Sequence, residues 1–173
     1  MHKNKIPIVN DRDEIIGYKD RAGLDYENNI YRVSALWLTN SKKEILIAQR
    51  AMTKERNPGK WGPAVAGTVE EGETYESNIE KEIKEEIGLT DIKLKRGPKR
   101  SPVLKRSYFV QWFIATIDKE ISEFRIQEDE VEKVAWIPLE ELTKDVAVNP
   151  SKYLGSMPEI LKLFTKTPSG FVQ

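Results

Sequence analysis

Hydrophobic positions follow short, strand-like runs in the first third of the chain and a helical period after it. Ile6–Val9 and Glu14–Tyr18 flank Asn10-Asp11-Arg12-Asp13, a turn-rich tetrapeptide, and predict an opening hairpin. Tyr31–Leu38 and Glu44–Gln49 are rich in Val, Leu and Ile and flank Thr39–Lys43, predicting a second, buried strand pair. Asn57-Pro58-Gly59-Lys60 breaks the pattern, and Trp61–Ala66 reads as one short extended run, ended by Gly67 and the tight Glu71-Gly72 turn. From Thr74 onward Ile79, Ile83 and Ile87 recur every fourth residue among Glu and Lys. The run stops at Gly88, which predicts an amphipathic helix with a glycine stop.

Beyond the helix, Ile92–Leu94 is expected as a strand, Gly97–Pro102 as a basic loop and Ser107–Ile117, apolar on both alternating faces, as a central buried strand. Val131–Ile137 predicts a further strand. Pro138–Leu142 predicts a short helix with Pro in its first turn, and Pro158–Phe164 a C-terminal helix before a mobile tail from Thr165. There is no internal repeat and no long linker. The expectation is a single domain over 1–173: a hairpin and loop at 1–29, a core at 30–142, and a helix and tail at 143–173.

Composition removes several chemistries. The chain has no cysteine and one histidine, His2, which excludes a disulfide framework, a zinc cluster, a thiolate nucleophile and a Ser-His-Asp triad. Apolar runs such as Val33–Leu38 are too short to span a bilayer and the first residues lack a signal-peptide core, so a soluble, cytoplasmic protein is expected. Lys and Arg number 28 and Asp and Glu also 28, leaving no global field to recruit a nucleic-acid polymer or a membrane. The neutrality is nevertheless a sum of blocks. Residues 42–66 carry six cations and two anions, 67–89 two and eight, 90–117 seven and one, and 118–141 three and nine.

The first acidic block holds the candidate chemistry. On a helix, Glu82, Glu85 and Glu86 fall within an arc of about 100°. Three carboxylates there repel one another, and a divalent cation would offset the repulsion. With no Cys or nearby His in the set, the oxygen donors suit Mg²⁺ or Mn²⁺. By spacing alone, a solvated Glu/Lys face is the favoured reading.

The flanking residues add a resemblance. Gly67 to Leu89 read Gly-x5-Glu-x7-Lys-Glu-Ile-x-Glu-Glu-x-Gly-Leu, which resembles the Nudix box at every defined position except 81, where Lys replaces the family's Arg. The resemblance implies an α+β fold, an α/β/α sandwich around a mixed sheet, and a metal-dependent hydrolase that cleaves a phosphoanhydride in a nucleoside diphosphate derivative or nucleotide. It implies that Glu82, Glu85 and Glu86 bind the metal, that Gly67 contributes a backbone carbonyl, and that Glu73 pairs with residue 81 to hold Glu82. Glu82 is the first candidate for the base, and Glu130, in the second acidic block, for a further carboxylate. Lys81 offers a point charge where Arg offers a planar fork, so a looser clamp is expected.

Among the basic residues, Arg50, Lys60 and Arg106 are candidates for the anionic substrate, and Trp61, Tyr108 and Trp112 for stacking on a base. Ile8-Val9-Asn10-Asp11, Ile45-Leu46-Ile47-Ala48-Gln49-Arg50 and Asn57-Pro58-Gly59-Lys60-Trp61 are similar to the isopentenyl-diphosphate-isomerase-like branch. That branch's isomerases use a cysteine and histidine metal ligands; this chain has no cysteine and Tyr31 where a His-Arg pair is expected. A hydrolase on that scaffold is favoured, with a binding module of negligible turnover or an isomerase-like enzyme as competitors. The expected partner is a small-molecule nucleotide or diphosphate substrate, with a homodimer as a further possibility.

Overall fold

A computed structural model describes residues 5–102 and 108–165; His2, Lys105, Arg106 and the tail beyond Thr165 lie outside the described residues. The opening hairpin forms from β1 (Lys5–Val9) and β2 (Ile15–Asp20), paired antiparallel. Asn10 sets its turn: Oδ1 accepts the backbone N–H of Arg12 at 2.9 Å and of Glu14 at 3.0 Å, while Asp13 takes the left-handed conformation at φ 63°. The same chemistry recurs between β3 (Tyr31–Thr39) and β4 (Glu44–Arg50), where Asn40 Oδ1 accepts from Lys42 and Glu44 and Lys43 sits at φ 61°.

β3 and β4 are not the continuous pair that their composition predicts. Only Thr39 and Ile45, next to the turn, are in register. Beyond them β5 (Trp61–Pro63) pairs with Ile47–Gln49 of β4, and β6 (Val65–Thr68) pairs with Val33–Leu36 of β3, so the two long strands splay around the short ones. The run expected over Trp61–Ala66 is therefore two strands divided at Ala64. On their outer edges β3 runs parallel to β8 (Tyr108–Thr116), and β4 antiparallel to β9 (Val131–Pro138).

No strand forms over Ile92–Leu94. Instead β7 (Lys95–Arg100) occupies most of the segment expected as a basic loop and pairs with β8. Four of its residues are Lys or Arg, and the ladder shifts register between Arg96 and Lys99, around Gly97 and Pro98. Charge and Pro are tolerated there because β7 is an edge strand, which is also why its pattern does not read as one.

α1 (Tyr75–Ile87) starts at a capping box, in which Thr74 Oγ1 accepts from Ser77 N at 3.1 Å and Ser77 Oγ accepts from Thr74 N at 2.9 Å, and it stops at Gly88 with φ 70°. Ile79, Ile83 and Ile87 bury against Leu36, Leu38, Phe109 and Phe113. Each such burial contributes about 1.5–3 kcal/mol, which outweighs the ~0.2–0.5 kcal/mol that each like-charge pair costs on the exposed side. Ala35, Trp37, Trp112 and Ile114 point to the other face, where α2 (Leu139–Val148) and α3 (Met157–Thr165) pack. α2 runs past the expected Leu142 because Val146, one turn on, is also buried, and Pro138 caps it rather than entering its first turn. The result is the expected α/β/α sandwich around a mixed sheet. Among the described residues no helix is long and apolar enough to cross a membrane.

The hairpin is fastened to this sandwich at two levels. Ile6 and Ile8 bury with Leu24 and Tyr31. Asp13 accepts from Arg32 Nε at 2.7 Å, from the Tyr75 hydroxyl at 3.0 Å and from Lys99, tying the turn to β3, α1 and β7 at once.

Candidate active site

The stripe of isoleucines turns α1 so that Glu82, Glu85 and Glu86 line one open cleft of about 600 Å³. Arg21, Arg50, Lys54, Gly67, Lys81 and Glu130 line the same cleft, bringing together residues 21 to 130 of the chain. Gly67, on β6, lies against Glu82: a β-carbon at position 67 would stand 2.3 Å from Glu82 Cγ and 2.4 Å from Cδ. Only a glycine admits the carboxylate so close to the strand.

Lys81 Nζ lies 2.7 Å from Glu73 Oε1 and 3.5 Å from both Glu70 Oε2 and Glu82 Oε1. Glu73 Oε2 accepts from Glu70 N at 2.8 Å and from Asn78 Nδ2 at 2.9 Å. Burial opposes ionisation of Glu73, yet these donors together hold its carboxyl below the ordinary value. The pairing of residues 73 and 81 expected from the motif is thus present as geometry. Asn78, fully buried, was not singled out by sequence reasoning; its Nδ2 also reaches Thr68 O at 3.2 Å and Glu82 Oε1 at 3.3 Å. A polar residue four positions before Glu82 on the buried edge of the helix was the available signal.

Glu130 arrives through two backbone ties. Gln127 N donates to the Glu86 carbonyl at 3.1 Å, and Ala51 N to the Glu130 carbonyl at 3.0 Å, pinning the loop between α1 and β4. The Glu130 carboxylate is held by Lys54 Nζ at 2.6 and 2.7 Å. Burial, and then repulsion from Glu82 and Glu130, push the Glu86 carboxyl up to about 8; burial likewise raises that of Glu82.

As the side chains stand, no three carboxylates or histidines among the described residues are gathered around one point, since Asn78 and Lys81 hold Glu82 and Lys54 holds Glu130. The donor set itself is all oxygen and crowded with like charge, with Glu85 exposed and Glu82 and Glu86 half-buried. Its chemistry fits a hard divalent cation.

Of the remaining candidates, Arg50 lines the cleft, with its Nε donating to the Arg56 carbonyl at 3.0 Å. Lys60 and Trp61 are not brought to its wall: Lys60 Nζ donates to the Ser151 carbonyl, and Trp61 packs on the α2–α3 side beneath Lys133. Tyr108 and Trp112 line a second cavity, of about 130 Å³, whose floor is Val33, Ala35 and Val110 and whose wall is Ile160 and Leu163 of α3. Exposed Ala66, next to Gly67, lines both cavities.

Comparison with known proteins agrees with this fold. The family model described as the NUDIX domain matches residues 29–156. An uncharacterised Nudix hydrolase of Listeria innocua is 33% identical over 65% of this chain and 66% of its own. A prenyl-diphosphate phosphatase of Methanosarcina mazei is 29% identical over 88% of this chain and 90% of its own, and an isopentenyl-diphosphate Delta-isomerase of Klebsiella pneumoniae 22% over 87% and 84%. In fold, the crystal structure of DR0079 from Deinococcus radiodurans superposes with a TM-score of 0.81 at 24% identity, over 91% of this chain and 97% of that one. The NUDIX domain of Shewanella oneidensis NrtR, solved with ADP ribose, gives 0.61 at 16%, over 86% and 92%.

Proposed function

The chain belongs to the Nudix family, and from that premise we propose that it is a metal-dependent hydrolase, acting in the cytoplasm, that cleaves the phosphoanhydride bond of a small diphosphate ester. The observation that carries this reading is the packing of Glu82 on Gly67 within a cleft that Glu85, Glu86 and Glu130 also line. In it, Glu82, Glu85, Glu86 and the Gly67 carbonyl would hold Mg²⁺ or Mn²⁺, with Glu130, paired to Lys54, as a further carboxylate. Such a cation would supply charge neutralisation for the diphosphate and lower the pKa of a water. Arg50 and Lys54 orient the phosphates, while Lys81 and Glu73 hold Glu82, whose carboxylate takes the proton of the attacking water. The products are a monophosphate ester and phosphate, or two monophosphates where both sides are esterified.

The organic group of the substrate fits two classes. A nucleoside diphosphate derivative is the expectation from the family, and the neighbour solved with ADP ribose supports it. The apolar cavity that meets the cleft at Ala66 favours a hydrocarbon, as does the similarity to a prenyl-diphosphate phosphatase. Isomerisation is disfavoured because the chain has no cysteine. Mg²⁺-dependent release of phosphate or monophosphate from ADP ribose, nucleoside diphosphates and prenyl diphosphates separates the classes. A tenfold or larger kcat/KM for the prenyl esters selects the hydrocarbon, and the reverse ratio the nucleoside. Substrate binding with no turnover under any divalent metal contradicts the hydrolase.

A further inference from the structure

Lys81 serves three carboxylates with one charge. Its ammonium lies nearest Glu73, and Glu70 and Glu82 stand at the same longer distance of 3.5 Å, so Glu70 competes with Glu82 for what remains. An arginine at that position would hold two carboxylates through a fork; a lysine divides a point charge among them.

A second cation reaches Glu70. Arg21 Nη2 lies 2.8 Å from Glu70 Oε1, the oxygen that Lys81 does not face, so the Glu70 carboxylate bridges the two. Arg21 stands in a single 3-10 turn, Arg21–Gly23, that follows β2. The hairpin delivers it: Glu71 N donates to the Lys5 carbonyl at 2.8 Å, and Leu24 buries with Ile6 and Ile8. Its side chain lines the carboxylate cleft and lies outside residues 29–156, where the family model matches.

We propose that Arg21 is a positioning residue of the hydrolytic site, neutralising Glu70 so that Lys81 holds Glu73 and Glu82, and thereby supplying the second half of a clamp that the family's arginine provides alone. The proposal rests on the hydrolase reading for its kinetic arm only.

The test compares the parent, Arg21→Ala, Arg21→Lys, Lys81→Arg and the double variant Arg21→Ala/Lys81→Arg. Arg21→Ala lowers kcat about tenfold, in the range for groups that orient ligands of a metal site, with KM unchanged. Arg21→Lys recovers most of the loss. In the Lys81→Arg background, removal of Arg21 changes kcat less than twofold. Mn²⁺ affinity, measured calorimetrically without substrate, gives a second arm. Loss of a nearby positive charge would by itself tighten Mn²⁺ binding, so weaker binding in Arg21→Ala but not in the double variant reports lost geometry. Equal effects in both backgrounds, a rise confined to KM, or tighter Mn²⁺ binding in Arg21→Ala overturns the proposal. A parent with no turnover on any diphosphate ends the hydrolase reading and leaves the Mn²⁺ arm to decide on Arg21.

Discussion

Gly67 leaves no room for a methyl group on the side where Glu82 packs. Gly67→Ala is therefore expected to displace the Glu82 carboxylate, lowering metal-dependent turnover by about a hundredfold or more, while the circular dichroism spectrum and cooperative unfolding persist; unchanged turnover would separate Gly67 from the chemistry. Lys81→Arg should leave kcat equal or higher, because a guanidinium can hold Glu73 and Glu82 together; a fall in kcat with folding intact would remove Lys81 from this role. At this scale the sequence was informative for residues on one helix or in the motif, and for Arg50 and Glu130 as single candidates that the fold brings to the cleft. Glu82, Glu85 and Glu86 were legible from helical spacing, and Glu73 with Lys81 from the motif. Arg21 was not, nor was the pairing of Lys54 with Glu130, because the partners lie 49 and 76 residues apart and only the fold closes such distances. Arg106 lies outside the described residues, and Lys60 and Trp61 face away from the cleft because β5 turns them toward Ser151 and the α2–α3 side.

The elements that place these side chains depend on a few local devices. Thr74→Ala removes the cap of α1 and is expected to cost about 1 kcal/mol, read from denaturant unfolding. The hairpin depends on Asp13. Although burial opposes it, hydrogen bonds from Lys99, Arg32 and Tyr75 hold the Asp13 carboxyl below its ordinary value of 3.8. A lowered acid contributes stability that is complete above the unfolded value and fades as the pH falls from 3.8 through the folded one. Asp13→Asn should thus destabilise by about 1–3 kcal/mol at pH 7, and the difference from the parent should shrink below pH 3.8. A pH-independent difference would mean that Asp13 acts through its turn conformation alone. Most elements were legible because one buried face imposes a period; β7 was not, since an edge strand with four basic residues and a Pro carries no such face. The splay of β3 and β4 was hidden too, because both strands are apolar whether they pair with each other or with β5 and β6.

For the whole molecule, the splay matters more than any single strand. By inserting β5 and β6 between β3 and β4, the sheet places Gly67 against α1 and exposes Ala66 between a charged cleft and an apolar cavity. Arg21, in the turn after the hairpin, lines one part of the cleft, and Glu130, at the end of its loop, another. The charge balance of the sequence, 28 against 28, resolves spatially into a cleft where four cations face five carboxylates. Such a site suits an anionic diphosphate bound together with a divalent cation better than either alone. The most direct test is phosphate and monophosphate release from diphosphate esters, with and without Mg²⁺, by the parent and by Glu82→Gln, Glu85→Gln and Glu86→Gln. Turnover that requires the metal and falls about a hundredfold or more in each folded variant is expected; turnover that persists without metal, or in all three variants, would contradict the assignment.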